Sequence, residues 1–329
     1  MQAFQILSPN TPPVLREVPI PDPGPGEVQL RIAACGLNFA DLLTIKGTYQ
    51  EKPTLPHTLG MELSGTITAL GTGVHGWAKG DRVALFSGGG GLAEYGVFPA
   101  ERCVRLPDEM GFDVAAGFLI AYGTSHLALN HRARLAAGET VVVLGAAGGV
   151  GLTAVEIAAR MGARVIACAR GADKLASAAR AGAAETLDTG RPDLRAALRA
   201  LGPVDVIYDA VGEPVFSDAL RATRRGARVL IIGFAGGQVP QIPANYLLVK
   251  NLTVHGLYWG GYLDLDPRAL TTSLETLLDW YGAGRLHPHV SHVLPLSRAA
   301  EALELLRTRT STGKVVVRPD QVLGSTASL

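Results

Sequence analysis

The apolar run Val141, Val142, Val143, Leu144 leads into Gly145, Ala146, Ala147, Gly148, Gly149, Val150 and Gly151, and two basic residues, Arg170 and Lys174, follow about twenty positions later. Glycine at such a bend allows a tight turn, close approach of the backbone to a ligand, and close packing of a helix on a strand. A helix that starts where the glycines end directs its first amides, and the positive end of its dipole, at whatever sits there. The chemistry so placed is capture of a diphosphate by bare main chain. Ala146 stands where a GxGxxG pattern has its first glycine, and Gly148 and Gly151 fill the other two places. Val150, Ala154, Ile157 and Met161 then recur at helical spacing, and a second apolar run, Val165 to Ala169, follows. That strand–turn–helix–strand order is what makes the pattern specific. The plainer alternative is a glycine-rich turn that binds nothing.

The end of the second run narrows the ligand. A site for NAD usually places Asp or Glu there, accepting hydrogen bonds from the ribose hydroxyls. Here the sequence reads "ACARGADK", so Arg170 and Lys174 would attract a 2′-phosphate that a carboxylate would repel. The expected cofactor is therefore NADPH rather than NADH. Asp173 is the competing ribose ligand, and solvated surface charge is the competing account of Arg170 and Lys174.

The elements that must hold these residues change character along the chain. Up to about residue 110, short alternating strands separated by Gly, Pro and Asp predominate; "EVQLRIAACG" puts Val28, Leu30 and Ile32 on one face. This spacing predicts a small β-barrel or folded sheet, with one helix near 38–46. "AAGFLIAYGTSHLALNHRARL" reads as helix. Strands then interleave with helices at 149–162, 172–181, 192–201 and 214–223, which predicts a parallel sheet covered on both faces. "LTVHGLY" reads as a strand, two longer helices are expected at 267–284 and 297–309, and "KVVVRP" closes the fold. The final "GSTASL" reads as frayed.

Composition excludes several classes of function. The 329 residues suit two domains, and 30 Lys and Arg balance 29 Asp and Glu. Near-neutrality gives no electrostatic reason to expect nucleic acid or an anionic membrane as partner. Cys35, Cys103 and Cys168 are widely spaced and odd in number, which fits a reducing compartment better than a disulfide framework. The start, "MQAFQILSPNTPP", lacks the pattern of a signal peptide, and no apolar window reaches membrane-span length. A soluble cytoplasmic protein is the expectation.

The segments "GLNFADLLTIKGTY", "GMELSGTI", "GDRVA", "GGLAEY", "AYGTSHLAL", "LGAAGGVG", "YDAVG", "IIGFAGG" and "GKVVV" together resemble the medium-chain dehydrogenase/reductase superfamily over essentially the whole chain. Within it the chain looks most like the zinc-free, zeta-crystallin-like quinone oxidoreductases. The resemblance implies an α/β protein: a GroES-like β-barrel domain over 1–115, completed by 260–329, and a Rossmann doubly wound parallel-sheet domain over 116–259. By register, the three zinc-ligand positions of the alcohol dehydrogenase branch fall on Asn38, Met61 and about Ile120, which offer neither thiolate nor imidazole. The four-cysteine structural zinc lobe is missing. His287, His289 and His292 lack a cysteine or acidic partner nearby, and they read as loop or edge-strand residues.

The resemblance places Asn38 and Tyr49 at the substrate; a second family tyrosine falls on Leu43. Asn38 is also a candidate helix N-cap, Tyr49 a candidate core aromatic beside Pro53 and Pro56, and Asp41 an orienting or capping residue. For the cofactor it implies Ala147, Gly148, Gly149, Val150, Arg170, Lys174, Gly233 and Phe234, and it places Tyr122 and Thr124 near the cofactor's phosphates or the substrate cleft. Lys314 would approach from the barrel domain, or simply turn the chain into a strand. The run Ser87 to Gly91 resembles a phosphate loop, but no helix follows it, and a flexible cleft-side turn is expected. The implied activity is hydride transfer from NADPH to a quinone or related α,β-unsaturated carbonyl without a metal, in a homodimer with neither nucleic acid nor membrane as partner. An enoyl-thioester or alkenal reductase and a non-catalytic dinucleotide-binding scaffold are the alternatives.

Overall fold

Strands and helices follow one another in a computed structural model whose described residues are 1–320; the terminal "GSTASL" lies outside them. In chain order the elements are β1 (Gln2–Ile6), β2 (Val14–Glu17), β3 (Glu27–Gly36), α1 (Phe39–Ile45), β4 (His57–Thr58), β5 (Glu62–Leu70), β6 (Arg82–Phe86), β7 (Tyr95–Pro99), β8 (Val104–Arg105), α2 (Phe112–Ala116) and α3 (Leu119–His126). Then come β9 (Thr140–Leu144), α4 (Gly149–Arg160), β10 (Arg164–Ala169), α5 (Ala172–Arg180), β11 (Glu185–Asp188), α6 (Leu194–Ala200), β12 (Val204–Asp209), α7 (Val215–Ala222), β13 (Thr223–Ile231), α8 (Ala244–Lys250), β14 (Thr253–Gly256), α9 (Tyr262–Leu265) and α10 (Pro267–Gly282). The last three are β15 (Val290–Pro295), α11 (Ala299–Arg307) and β16 (Lys314–Arg318).

Two compact units result: Met1–Leu119 together with the chain from Val290, and Ile120–His289. The second unit therefore keeps residues 260–289, about thirty more than the expected return at 260. The reason is α10, whose Ser273 hydroxyl lies 2.7 Å from His126 Nδ1, and whose Trp280 meets the His126 ring edge-on at 5.4 Å. The helix read at 115–135 breaks into α2, α3 and a wider π-type turn over Leu127–Arg132.

In the first unit, β3 alternates as its sequence requires, with Val28, Leu30 and Ile32 buried and Arg31 exposed. β3 is central to a seven-stranded sheet ordered β15-β16-β3-β5-β6-β8, with β7 also paired to β3. A three-stranded sheet, β2-β1-β4, completes the folded β unit. In the second unit, six parallel strands run β11-β10-β9-β12-β13-β14, the doubly wound order. β9 and β12 are buried at every residue, which is why they read as continuous apolar runs rather than alternations. β14, from the "LTVHGLY" segment, is an edge of that sheet.

Candidate functional site

In the second unit the carboxyl ends of neighbouring strands carry three turns side by side. Register pairs Leu144 at the end of β9 with Asp209 of β12 and Cys168 of β10, and Asp209 with Ile231 of β13. The turn after β9 is tied down from below, because Gly145 and Ala146 donate their N–H groups to the Cys168 carbonyl at 3.0 and 3.1 Å. Gly145 has φ +74°, a conformation that costs glycine nothing. A Cβ on Gly151 would run into the Gly145 carbonyl, with the carbonyl carbon 2.7 Å away, so α4 can pack this closely only with glycine there. Gly148 is different: a Cβ would meet only the Gly145 oxygen at 3.5 Å, ordinary contact. Its φ of −76° is equally ordinary. The fold does not need glycine at 148, and the space above the turn is open. With Gly149 and Val150 beginning α4, the first-turn amides have no intrahelical acceptor and could hold an anion. Ala147 is buried beneath them. This cradle fits a dinucleotide diphosphate.

The other expected cofactor residues are placed as follows. Arg170 is exposed immediately after β10, and Lys174 is half-buried in the first turn of α5. Beside them Asp188, which the sequence reading passed over, accepts N–H bonds from Gly171 at 3.1 Å and Gly190 at 2.7 Å. Those two amides, with the Arg170 charge, hold its carboxyl below the usual range. Gly233 and Phe234 lie in a turn fixed to the end of β12: Gly233 N–H donates to the Asp209 carbonyl, Ala235 N–H to that of Ala210, and Gly236 N–H to that of Val211. Phe234 is exposed. Thr124 is buried in α3. Tyr122 is buried too, and its hydroxyl donates to the Glu156 carboxylate in the second turn of α4. Burial, then the Glu156 charge, raises this phenol far above the usual tyrosine range. Its hydroxyl is thus bonded to α4, the helix that the glycine turn begins.

Asp209 carries a signal that no local pattern gave. It is fully buried, its Oδ1 accepts the Val211 and Gly212 N–H groups at 2.9 Å each, and its Oδ2 has no partner among the described residues. Burial pushes this carboxyl up to about 6 in spite of the two amides.

In the first unit, Asn38 is half-buried at the N-cap of α1, with a capping box in which the Asp41 carboxylate accepts the Asn38 backbone N–H at 2.8 Å. Its side chain is also bonded inward. Lys314 Nζ donates to Asn38 Oδ1 at 2.8 Å and to Glu62 Oε2 at 3.1 Å, while Asn38 Nδ2 donates to Glu62 Oε2 and the Gly36 carbonyl, both at 3.2 Å. Capping and side-chain engagement therefore coexist. Lys314, expected at the cofactor, has its ammonium on Asn38, and Glu62 completes a cluster that the sequence reading did not anticipate. Asp41 beside it is fully buried and also accepts the Gly60 N–H at 3.2 Å; burial pushes its carboxyl up to about 6 against those bonds. Burial first, then the Asp41 and Glu62 charges, drives the Cys35 thiol well above its ordinary range. All three cysteines are free.

Tyr49 lines a cavity of about 520 Å³ in the same unit, with His57, Met61, Ser87, Tyr95 and Phe98 among its walls. Pro53 and Pro56 share that wall, so Tyr49 is a half-buried cavity residue rather than a core aromatic. Ser87 to Gly90 also line this cavity, as a cleft-side turn would, but the run is tied down rather than flexible. Gly90, Gly91 and Leu92 donate N–H bonds to the carbonyls of Thr58, Gly60 and Leu59 at 2.8 to 2.9 Å. A Cβ on Gly89 would strike the His57 ring, and one on Gly91 would lie 2.8 Å from both Cys35 Sγ and the Gly60 oxygen.

Comparison with known proteins agrees with both halves. A family model described as an alcohol dehydrogenase GroES-like domain matches residues 24–108, and one described as a zinc-binding dehydrogenase matches residues 149–279. The quinone oxidoreductase-like protein 2 homolog of Nematostella vectensis is 40% identical over 304 residues, covering 91% of this chain and 83% of its own. The quinone oxidoreductase of Escherichia coli complexed with NADPH superposes with a TM-score of 0.89 at 28% identity, over 97% of this chain and 99% of that one. The quinone oxidoreductase of Thermus thermophilus, solved also with NADPH, gives 0.85 at 33% identity, over 97% and 100%. Zinc does not fit the residues present. Asn38, Met61 and Ile120 stand at the expected ligand positions, and among the described residues no three His, Cys, Asp or Glu side chains converge to hold a metal ion. Among these residues, too, no helix is long and apolar enough to cross a membrane. The chain belongs to the medium-chain dehydrogenase/reductase superfamily of oxidoreductases.

Proposed function

We propose that this protein is an NADPH-dependent reductase that delivers hydride to quinones or related α,β-unsaturated carbonyls without a metal. The observation that carries the reading is the turn at Gly145–Gly151, where position 148 has room for a side chain and yet holds glycine. Bound there, NADPH would supply the hydride. The chain's own work is to bind, orient and stabilise charge. Amides of Gly149 and Val150 receive the diphosphate, and Arg170 and Lys174 attract the 2′-phosphate. In the first unit, Tyr49 lines a cavity of a size suited to a small aromatic acceptor, about 520 Å³. Its hydroxyl and the Asn38 carboxamide are the donors we assign to an acceptor oxygen that gains negative charge. Among the walls of that cavity the one Lys or Arg is Lys52, which gives little purchase for the phosphates of an acyl-CoA. The assembly we propose is a homodimer that pairs β14 edges, in the cytoplasm.

The test is loss of NADPH absorbance with 1,4-benzoquinone, 9,10-phenanthrenequinone and crotonyl-CoA side by side, joined to calorimetric titration of NADPH and NADH. Quinone-dependent decay is expected. Tight NADPH binding without decay would favour a scaffold, and decay with crotonyl-CoA alone would favour a thioester reductase. Arg170→Glu should weaken NADPH by about one to two orders of magnitude, the worth of a charge-assisted hydrogen bond of about 1.5–3 kcal/mol, and leave NADH nearly unchanged. Equal losses for both cofactors would remove Arg170 from the phosphate site.

A further inference from the structure

Behind the half-buried Asn38 lie two ionisable side chains closed off from solvent. Glu62 is fully buried and the Lys314 side chain is 8% exposed. Lys314 arrives at the start of β16, the strand that pairs with β3 through Val316 opposite Gly36, and its stem packs on Gly117, where a Cβ would lie 3.0 Å from Lys314 Cγ. An ammonium only donates and a carboxylate only accepts, so the ring of bonds joining Lys314, Asn38 and Glu62 admits one orientation of the amide. Asn38 Oδ1 must face Lys314 and Nδ2 must face Glu62. The reversed amide would set N–H against ammonium and oxygen against carboxylate.

That orientation has a chemical consequence. Positive charge on Oδ1 draws amide electrons toward oxygen and strengthens Nδ2–H as a donor. Both Nδ2 bonds are 3.2 Å, but one hydrogen goes to the charged Glu62 carboxylate and the other to the neutral Gly36 carbonyl, the weaker acceptor. The second hydrogen is the one an incoming, negatively charging oxygen can take over.

We propose that Lys314 and Glu62 are positioning residues for Asn38: together they fix which end of its carboxamide meets the acceptor, and they strengthen the N–H that it donates. This rests on the reading of Asn38 as an acceptor-facing residue. It gives Lys314 work distinct from the cofactor contact that family resemblance implies.

Removing only one charge of a buried ion pair is destabilising, so the principal variant removes both, Glu62→Gln/Lys314→Met, with Asn38→Ala and the triple variant beside it. With 9,10-phenanthrenequinone, the paired variant should lose about ten- to hundredfold in kcat, the scale of a weakened oxyanion donor. The dissociation constant for NADPH should stay within about twofold. Groups that act through one another are non-additive, so the triple variant should be no slower than Asn38→Ala by more than about twofold. An NADPH dissociation constant raised tenfold with kcat retained would overturn the proposal in favour of a cofactor contact, and fully additive losses would overturn it by showing independent action. A second readout needs no turnover: exchange of the Asn38 side-chain amide hydrogens with solvent, followed by nitrogen-15 NMR. Exchange should be slow in the parent protein and at least about tenfold faster in the paired variant. Fast exchange in the parent would sink the locked amide. If no acceptor is reduced while exchange behaves as expected, the functional reading fails and the locked amide stands.

Discussion

Two glycine-rich turns in this chain read alike and do opposite things. Gly88 to Gly91 in the first unit form an unbroken run, whereas Gly145, Gly148, Gly149 and Gly151 in the second are spaced among Ala and Val. By composition the first is the better loop. In the structure it is pinned on one side, with Gly89 against the His57 ring and Gly91 against Cys35 and the Gly60 backbone, while Ser87 to Gly90 line the cavity of Tyr49. The second is partly shut, at Gly151, and open at Gly148. Glycine thus serves protein-to-protein approach at Gly91 and Gly151, and at Gly148 it leaves open the space in which we propose that a ligand sits. Only the space a Cβ would enter distinguishes them.

Substitutions can break that distinction, and the largest effect belongs to Gly151→Ala. Its Cβ would collide with backbone that cannot rotate away, and a loss of about 3 kcal/mol or more in urea unfolding is expected. A loss below about 1 kcal/mol would mean that α4 can slide off the turn. Gly91→Ala comes next, with about 1–3 kcal/mol lost to overpacking against Gly60. Provided that the variant folds, calorimetry should find its NADPH affinity unchanged, because this turn holds no phosphate; a tenfold loss would make it a ligand loop after all. Gly148→Ala should change stability by less than about 1 kcal/mol, yet weaken NADPH at least about tenfold, or about 1.4 kcal/mol, since the methyl group enters the diphosphate's ground. Unaltered affinity would return the turn after β9 to the class of turns that bind nothing.

An effect of similar size but confined to acid pH concerns the two buried carboxyls that brace these regions. Asp41 accepts the Gly60 amide and Asp209 the Gly212 amide, and burial pushes each up to about 6. A carboxyl whose pKa is higher folded than unfolded binds more protons in the native state, so its contribution makes the protein more stable as pH falls from about 6 toward 4. Asp41→Asn should flatten the pH dependence of unfolding free energy over that window by about 1–2 kcal/mol, whatever it does to stability at neutral pH. A slope identical to that of the parent would show that Asp41 ionises as freely in the native state as in the unfolded one.

What the sequence revealed follows from distance along the chain. The turn after β9 was legible because strand, bend and helix are contiguous, and β9, buried throughout, announces itself as an apolar run. The doubly wound sheet was legible for the same reason. The ring of Asn38, Glu62 and Lys314 was not, since its bonds join residues 24, 252 and 276 positions apart. Glu62 was overlooked because a glutamate beside Met61 in a strand looks like any half-exposed charge; only its complete burial marks it. Ser87 to Gly91 was misjudged as flexible because composition reports what glycine permits and is silent about its neighbours. The packing of residues 260–289 with the second unit leaves no local mark, because Ser273 meets His126 across 147 positions.

One further consequence lies in β16. It sits inside its sheet, flanked by β15 and β3, and pairs with the Cys35–Gly36 end of β3, whose other half is covered by β7. On the ribosome, residues 1–119 therefore emerge with part of a central strand bare, and they wait through synthesis of the entire second unit before the covering strand appears. The portion translated first is finished last, and the lysine that anchors Asn38 arrives in that final stitch.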